Sequence, residues 1–100
     1  MTDALSQLQR RAHDAALLLK AMANANRLLI LCMLVEHQRV SAGLLGQACG
    51  LSPSATSQHL ARMRSEGLVV AQREGITMYY AIANHDLERI ITTLKDIYCP

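Results

Sequence analysis

Within five residues, Cys49-Gly50-Leu51-Ser52-Pro53, the chain carries signals to end one helix and begin another. Gly50 is free to take the left-handed conformation that terminates a helix. Ser52 is a strong N-cap, and Pro53 suits the first helical position, where its missing N–H has no partner to lose. The break therefore demands two helices meeting at a sharp angle rather than one continuous rod. Ser41 caps the upstream helix, Ala42 to Cys49. The downstream helix runs from its Ser52 cap to about Glu66, with Ala55, Leu60 and Met63 facing inward and Gly67 stopping it.

The flanking segments fill in the order of elements. Leu5, Leu8, Ala12, Ala15, Leu19 and Met22 recur at spacings of three and four, the stripe of an amphipathic helix that serves as core or as a dimer seam. Asn24 or Asn26 caps a second helix containing the run Leu28 to Val35, apolar on every side and so predicted to be central. After Gly67, the β-rich runs Leu68 to Arg73 and Ile76 to Ile82 flank Glu74-Gly75, which predicts a hairpin with a two-residue turn. Asn84 caps a last helix that places Asp86 and Glu88 in its first turn, where the dipole favours acids. Leu87, Ile90, Ile91, Leu94, Ile97 and Tyr98 form its apolar face.

With 100 residues there is room for one hydrophobic core, so a single domain over 1–100 is expected. Apolar residues make up 51% of the chain, more than such a core needs, which predicts that some apolar surface pairs with a partner. The Leu28–Val35 run is eight residues long, far short of the roughly 20 that span a membrane. Neither a membrane partner nor a secretion signal is expected, and the predicted location is the cytoplasm. Net charge is only +2, but Arg39, Arg62, Arg64 and Arg73 face the single acid Glu66 between positions 39 and 73. The basic excess lies mid-chain, where attraction for phosphates is useful.

Two helices joined by a tight glycine turn, the second followed by a hairpin, make a winged helix-turn-helix, mostly α with a small β-hairpin wing. In that arrangement the second helix enters the major groove of double-stranded DNA and the hairpin reaches the flanking backbone or minor groove. The residue types agree. Ser52, Ser54, Thr56, Ser57 and Gln58 crowd the second helix with hydrogen-bonding groups, and Gln pairs well with the adenine N6/N7 edge. Arg62, Arg64 and Arg73 suit phosphates or a guanine. His59 reads equally as a structural histidine and as a DNA contact. No Ser/His/Asp order, carboxylate pair or glycine-rich phosphate loop supports an enzyme. An adaptor of the same fold would more often present apolar residues on this helix.

The run Ser52-Pro-Ser-Ala-Thr-Ser-Gln-His-Leu60, with Met63, Gly67-Leu-Val, Arg73-Glu-Gly and Tyr79-Tyr80, resembles the ArsR family of bacterial winged-helix repressors. Ala25-Asn26-Arg27-Leu28 matches in slightly altered form, and the similarity extends from Ala21 to Tyr98. The resemblance implies a homodimer built from the first and last helices and a palindromic operator read by two recognition helices. Many relatives of this type sense metals. Here the helix before recognition holds Cys49 alone, and Asn84-His85-Asp86 is followed by no second histidine, so the roughly four ligands of a tetrahedral site do not assemble. No metal or cofactor is expected, and a metal-responsive repressor is the lesser reading. Cys32 in Ile-Leu-Cys-Met-Leu and Cys99 in Ile-Tyr-Cys-Pro instead resemble the branch that senses reactive sulfur species or oxidants, including the haemolysin-activator and biofilm-repressor types. That resemblance implies a redox-sensing Cys32–Cys99 dithiol whose oxidation or persulfidation releases DNA. By the residues alone, Cys32 also reads as a small core residue and Cys99 as part of a frayed end.

Overall fold

The computed structural model describes residues 3–99. Five helices and three short strands follow in the order α1 (Asp3–Met22), α2 (Ala25–His37), β1 (Val40–Ser41), α3 (Ala42–Cys49), α4 (Pro53–Ser65), β2 (Val69–Glu74), β3 (Thr77–Ile82) and α5 (His85–Tyr98). The helix starts follow the local chemistry of their caps. Side-chain oxygens of Asn24, Ser41, Ser52 and Asn84 each accept from the backbone N–H three residues on, at 3.1, 3.2, 3.1 and 2.8 Å. Both breaks flanking α4 close in the same way. Leu51 N donates to Gly46 O and Leu68 N to Met63 O, each at 2.9 Å, across glycines with φ of +68° and +77°. These are Schellman endings, in which glycine accepts the left-handed geometry without a Cβ penalty.

The core lies where α2 crosses α5 and the α3–α4 pair. Ile30, Leu31 and Leu34 of α2, Leu45 of α3, Leu60 and Met63 of α4, Leu68 and Val69 at the start of the wing, and Leu87 and Ile91 of α5 are all buried. With no Phe or Trp in the chain, these branched aliphatics and Met63 do the packing. The expectation of a central α2 holds, although Leu29 on its outer side stays exposed.

Two details depart from the expected hairpin. The ladder pairs Glu74 with Thr77, so the two-residue turn is Gly75-Ile76 rather than Glu74-Gly75. Gly75 takes φ +62° while Ile76 keeps a negative φ, as in a II′ turn with glycine first. A third strand joins the sheet: Val40 and Ser41 pair with Tyr80 and Tyr79, giving the antiparallel order β1-β3-β2. The wing is thereby tied to the segment that caps α3.

Helix α1 behaves differently. It meets α2 across a 95° bend, and only its last turn is buried, at Ala21 and Met22. The buried Arg27 guanidinium secures this elbow by donating from Nη1 to the Ala21 carbonyl at 3.0 Å. The rest of the 20-residue helix, some 30 Å long, projects from the body. The molecule measures 53 × 30 × 20 Å, and its radius of gyration of 14.9 Å exceeds the ~13 Å of a compact chain of this length. No single helix among the described residues is long and apolar enough to cross a membrane.

Candidate nucleic-acid interface

The outward face of α4 follows from which residues its packing consumes. Thr56, Leu60 and Met63 fall on one side and are buried against α3 and the wing, with His59 half-buried beside them. Ser54, Ser57, Gln58, Arg64 and Ser65 are left exposed, and Ser52 is exposed at the N-terminus. The helix therefore presents a polar outer surface with unsatisfied N–H groups at its leading end, a geometry that accepts phosphate.

One candidate contact is corrected by this packing. Thr56 is 2% exposed, and its Oγ1 donates to the Ser52 carbonyl at 2.8 Å. It sits against Gly46, so close that a Cβ added at Gly46 would lie 2.5 Å from Thr56 Oγ1. The hydroxyl is spent inside the helix pair and does not reach a base. The residue's i+4 bond and inward placement explain its polarity without DNA.

The arginines also separate. Arg62 donates from Nε to Glu66 at 2.9 Å and lines a notch of about 440 Å³ between α1 and α4, together with Asp14, Leu17, Leu18, Lys20 and Glu66. It lies on the flank of α4 that faces α1, not on the outermost line. Arg39 pairs with Glu74 at 2.7 Å, an acid just beyond the stretch in which the sequence shows its basic excess. Among the described residues, Arg64 and Arg73 are the arginines of that stretch without an acidic partner in the structure, and both are exposed. The local positive charge available to DNA is thus concentrated at the end of α4 and on the wing.

The cysteines occupy a different surface. Cys32 is half-buried on α2, and Cys99 is exposed at the end of α5, the helix packed against α2. All three cysteines carry free thiols. Burial pushes the Cys32 thiol above its ordinary pKa, Lys95 draws it down, and Cys99 and Glu36 push it further up. Glu36 and Lys95 meet at 3.9 Å across the same seam, one helical turn from Cys32 and Cys99 respectively. This ion pair lies outside the residues that the sequence singles out, although each partner stands four residues from one of the two cysteines. Cys49 is half-buried, and desolvation alone raises its thiol. Among the described residues no three His, Cys, Asp or Glu side chains converge as a metal site.

A glycine-turned helix pair with a polar outer helix, followed by a sheet-anchored wing, defines a winged helix-turn-helix DNA-binding protein. A family model described as winged helix-turn-helix DNA-binding matches residues 24–70. The chain is 56% identical over 96 residues to the HTH-type transcriptional regulator YgaV of Escherichia coli K12, spanning 96% of this chain and 97% of that one. The solved structure of reduced HlyU from Vibrio cholerae superposes with a TM-score of 0.88 at 40% identity, covering 94% of this chain and 98% of that one. The transcriptional repressor BigR of Xylella fastidiosa gives 0.88 at 30% identity, covering 100% and 99%. The chain belongs to the ArsR-like family of winged helix-turn-helix transcriptional regulators; it is a DNA-binding regulator and not an enzyme.

Proposed function

We propose that this regulator acts in the cytoplasm as a homodimer on a palindromic operator, and that conversion of the Cys32–Cys99 dithiol to a disulfide or polysulfide releases it. The observation carrying the reading is the placement of one half-buried thiol on α2 and one exposed thiol at the end of α5, two helices packed on each other, with Ile97 and Tyr98 left bare at the outer end of α5. Bare leucines on α1 add a second apolar surface, and together they supply what a self-complementary interface needs. Two copies of α4 held about one helical turn of DNA apart would then read successive major grooves. Ser52, Ser54, Ser57, Gln58 and Arg64 supply the reading surface, Arg73 reaches from the wing, and His59 and Arg62 lie at its flanks.

The chemistry begins at the exposed thiol. The Cys99 thiolate attacks a terminal sulfur of an inorganic polysulfide, and the adjacent S–S bond breaks, leaving a Cys99 persulfide and a polysulfide one sulfur shorter. The Cys32 thiolate then attacks Cys99 Sγ and expels hydrosulfide, which takes both electrons as the disulfide forms. The new bond ties α2 to α5 at the dimer surface. A small rotation there misplaces the recognition helices, and a coupling of about 5- to 150-fold in affinity suffices for release. The relative described as reduced HlyU lends support, since a redox state is named for it.

The test is fluorescence anisotropy on a fragment of the promoter upstream of the protein's own coding region. Reduced, polysulfide-treated and peroxide-treated protein are compared with Cys32→Ser and Cys99→Ser, with intact mass and sedimentation velocity run in parallel. Reduced dimer that binds and treated dimer that releases, with loss of response in both variants, is the expected result. Unchanged affinity on treatment, or release that survives both substitutions, sinks the switch; a monomer that binds with full affinity sinks the dimer.

A further inference from the structure

The wing has a brace. Beyond Tyr79 and Tyr80, where β1 supports it, the hairpin continues as two strands alone, through Arg73 opposite Met78 and Glu74 opposite Thr77 to the Gly75-Ile76 tip. A free two-stranded ribbon is marginally stable in water. Arg39, immediately before β1, spans this unsupported stretch. One guanidinium nitrogen bonds Glu74 at 2.7 Å, and the guanidinium carbon lies 3.9 Å from the centre of the Tyr79 ring. Glu74 and Tyr79 belong to one face of the hairpin, because directly opposed residues share a face and side chains alternate along each strand. Arg73 belongs to the other face, so the side chain left for phosphate is not the one held by the brace. The tip itself carries Ile76 wholly exposed, with nothing in the fold to hold it.

We infer that Arg39 is a positioning residue for DNA binding: it does not touch the nucleic acid but stiffens the wing, holding Arg73 and the Gly75-Ile76 tip ready for the backbone and minor groove beside the recognition helix. The inference rests on the wing contacting DNA. A carboxylate and an aromatic face already occupy the guanidinium, and its flat fork suits stacking and pairing together. Losing it restores conformational freedom to the outer half of the hairpin, and that freedom has to be given up again at each binding event.

The experiment has an arm that needs no DNA. Amide hydrogen exchange of the free protein is followed over residues 71–79 in wild type, Arg39→Ala and Tyr79→Leu, the last of which removes the ring while keeping every charge. The brace requires faster exchange there in both variants, with the core helices unchanged in an accompanying urea melt. In the second arm, promoter affinity is measured across a salt series. Arg39→Ala is expected to bind about three- to tenfold more weakly with an unaltered salt slope, and Tyr79→Leu to move the same way by less. A slope lowered by about 0.9 marks a lost phosphate contact and overturns the inference, as does wild-type exchange in the wing of both variants. Faster wing exchange with wild-type affinity in both variants also overturns the positioning role. Failure of the wild type to bind any promoter fragment counts instead against the reading of the DNA target, and the exchange arm then still decides whether the brace exists.

Discussion

Helices α4 and α1 are both amphipathic, yet they end up in opposite circumstances. In α4 the inward residues Thr56, Leu60 and Met63 are sealed against α3 and the wing, while the outer face is polar and bare. In α1, seven residues longer, Leu8 and Leu19 both remain 59% exposed, and only the final turn joins the core. The head of the molecule is complete within one chain, while the arm presents apolar surface that a single chain does not cover. Polar exposure on the head marks a face for a polar partner, and apolar exposure on the arm marks a face for another apolar one. The two faces are joined at the α1–α2 bend, where the buried Arg27 guanidinium ties α2 to the last turn of α1.

Charging the arm tests its apolar face most directly. Leu8→Glu combined with Leu19→Glu should leave the helical content and the urea midpoint of the head nearly intact while abolishing self-association in sedimentation. For the proposed dimer, operator affinity should fall by about 10²-fold or more, because the second half-site is no longer bound within the same molecule. A double variant that remains dimeric removes α1 from the proposed interface.

A smaller but still large effect is expected inside the head. Gly46→Ala forces a methyl group toward Thr56 Oγ1, where 2.5 Å is available, and should cost on the order of 1–3 kcal/mol in urea unfolding. Adding Thr56→Ala removes the clashing atom, and the nearest Thr56 contact becomes its Cβ at 3.5 Å, so part of that loss should return. If the double variant is no more stable than the sum of the singles predicts, the close crossing of α3 and α4 is not what sets the cost.

On the outer face, Gln58→Ala should weaken operator binding by about 1–3 kcal/mol and relax preference at one base position. Arg62→Ala should cost under about 1 kcal/mol, since the guanidinium is already engaged by Glu66 in an exposed pair. Anisotropy with single-base variants of the operator measures both, and a reversed ranking would reassign the reading face toward the α1 flank.

The smallest effect concerns the seam. With burial raising the Cys32 pKa, its thiolate fraction near pH 7 lies below that of a free thiol, and iodoacetamide should modify it several-fold more slowly in a Cys49→Ser/Cys99→Ser background. The sign is fixed by linkage: the fold favours the protonated thiol, so its contribution to stability is full below the unfolded pKa and fades as pH rises through the folded one. Alkylation should therefore accelerate with pH over a range displaced upward from that of a free thiol. Modification as fast as that of glutathione across pH 7–9 contradicts the burial of Cys32.

Features that depend on neighbours three to five residues away were legible in the sequence. The caps at Asn24, Ser41, Ser52 and Asn84, the glycine endings at Gly50 and Gly67, and the helix pair itself all rest on such local bonds, and so does the polar outer face of α4 as a class of surface. The hairpin was legible too, but its turn lay one residue further on, because a glycine at either central position satisfies a two-residue loop. Everything that required distant segments to meet was decided by tertiary structure. Val40 became a strand only by finding Tyr80, and Arg39 lost its free charge only by finding Glu74. Thr56 is buried away from the outer face because α3 crosses α4 at a glycine. Cys32 and the end of α5 that carries Cys99 came to share one seam because α5 packs along α2. Local hydrogen-bond geometry is written in residue order, whereas burial and charge neutralisation depend on which faces the packed core brings together.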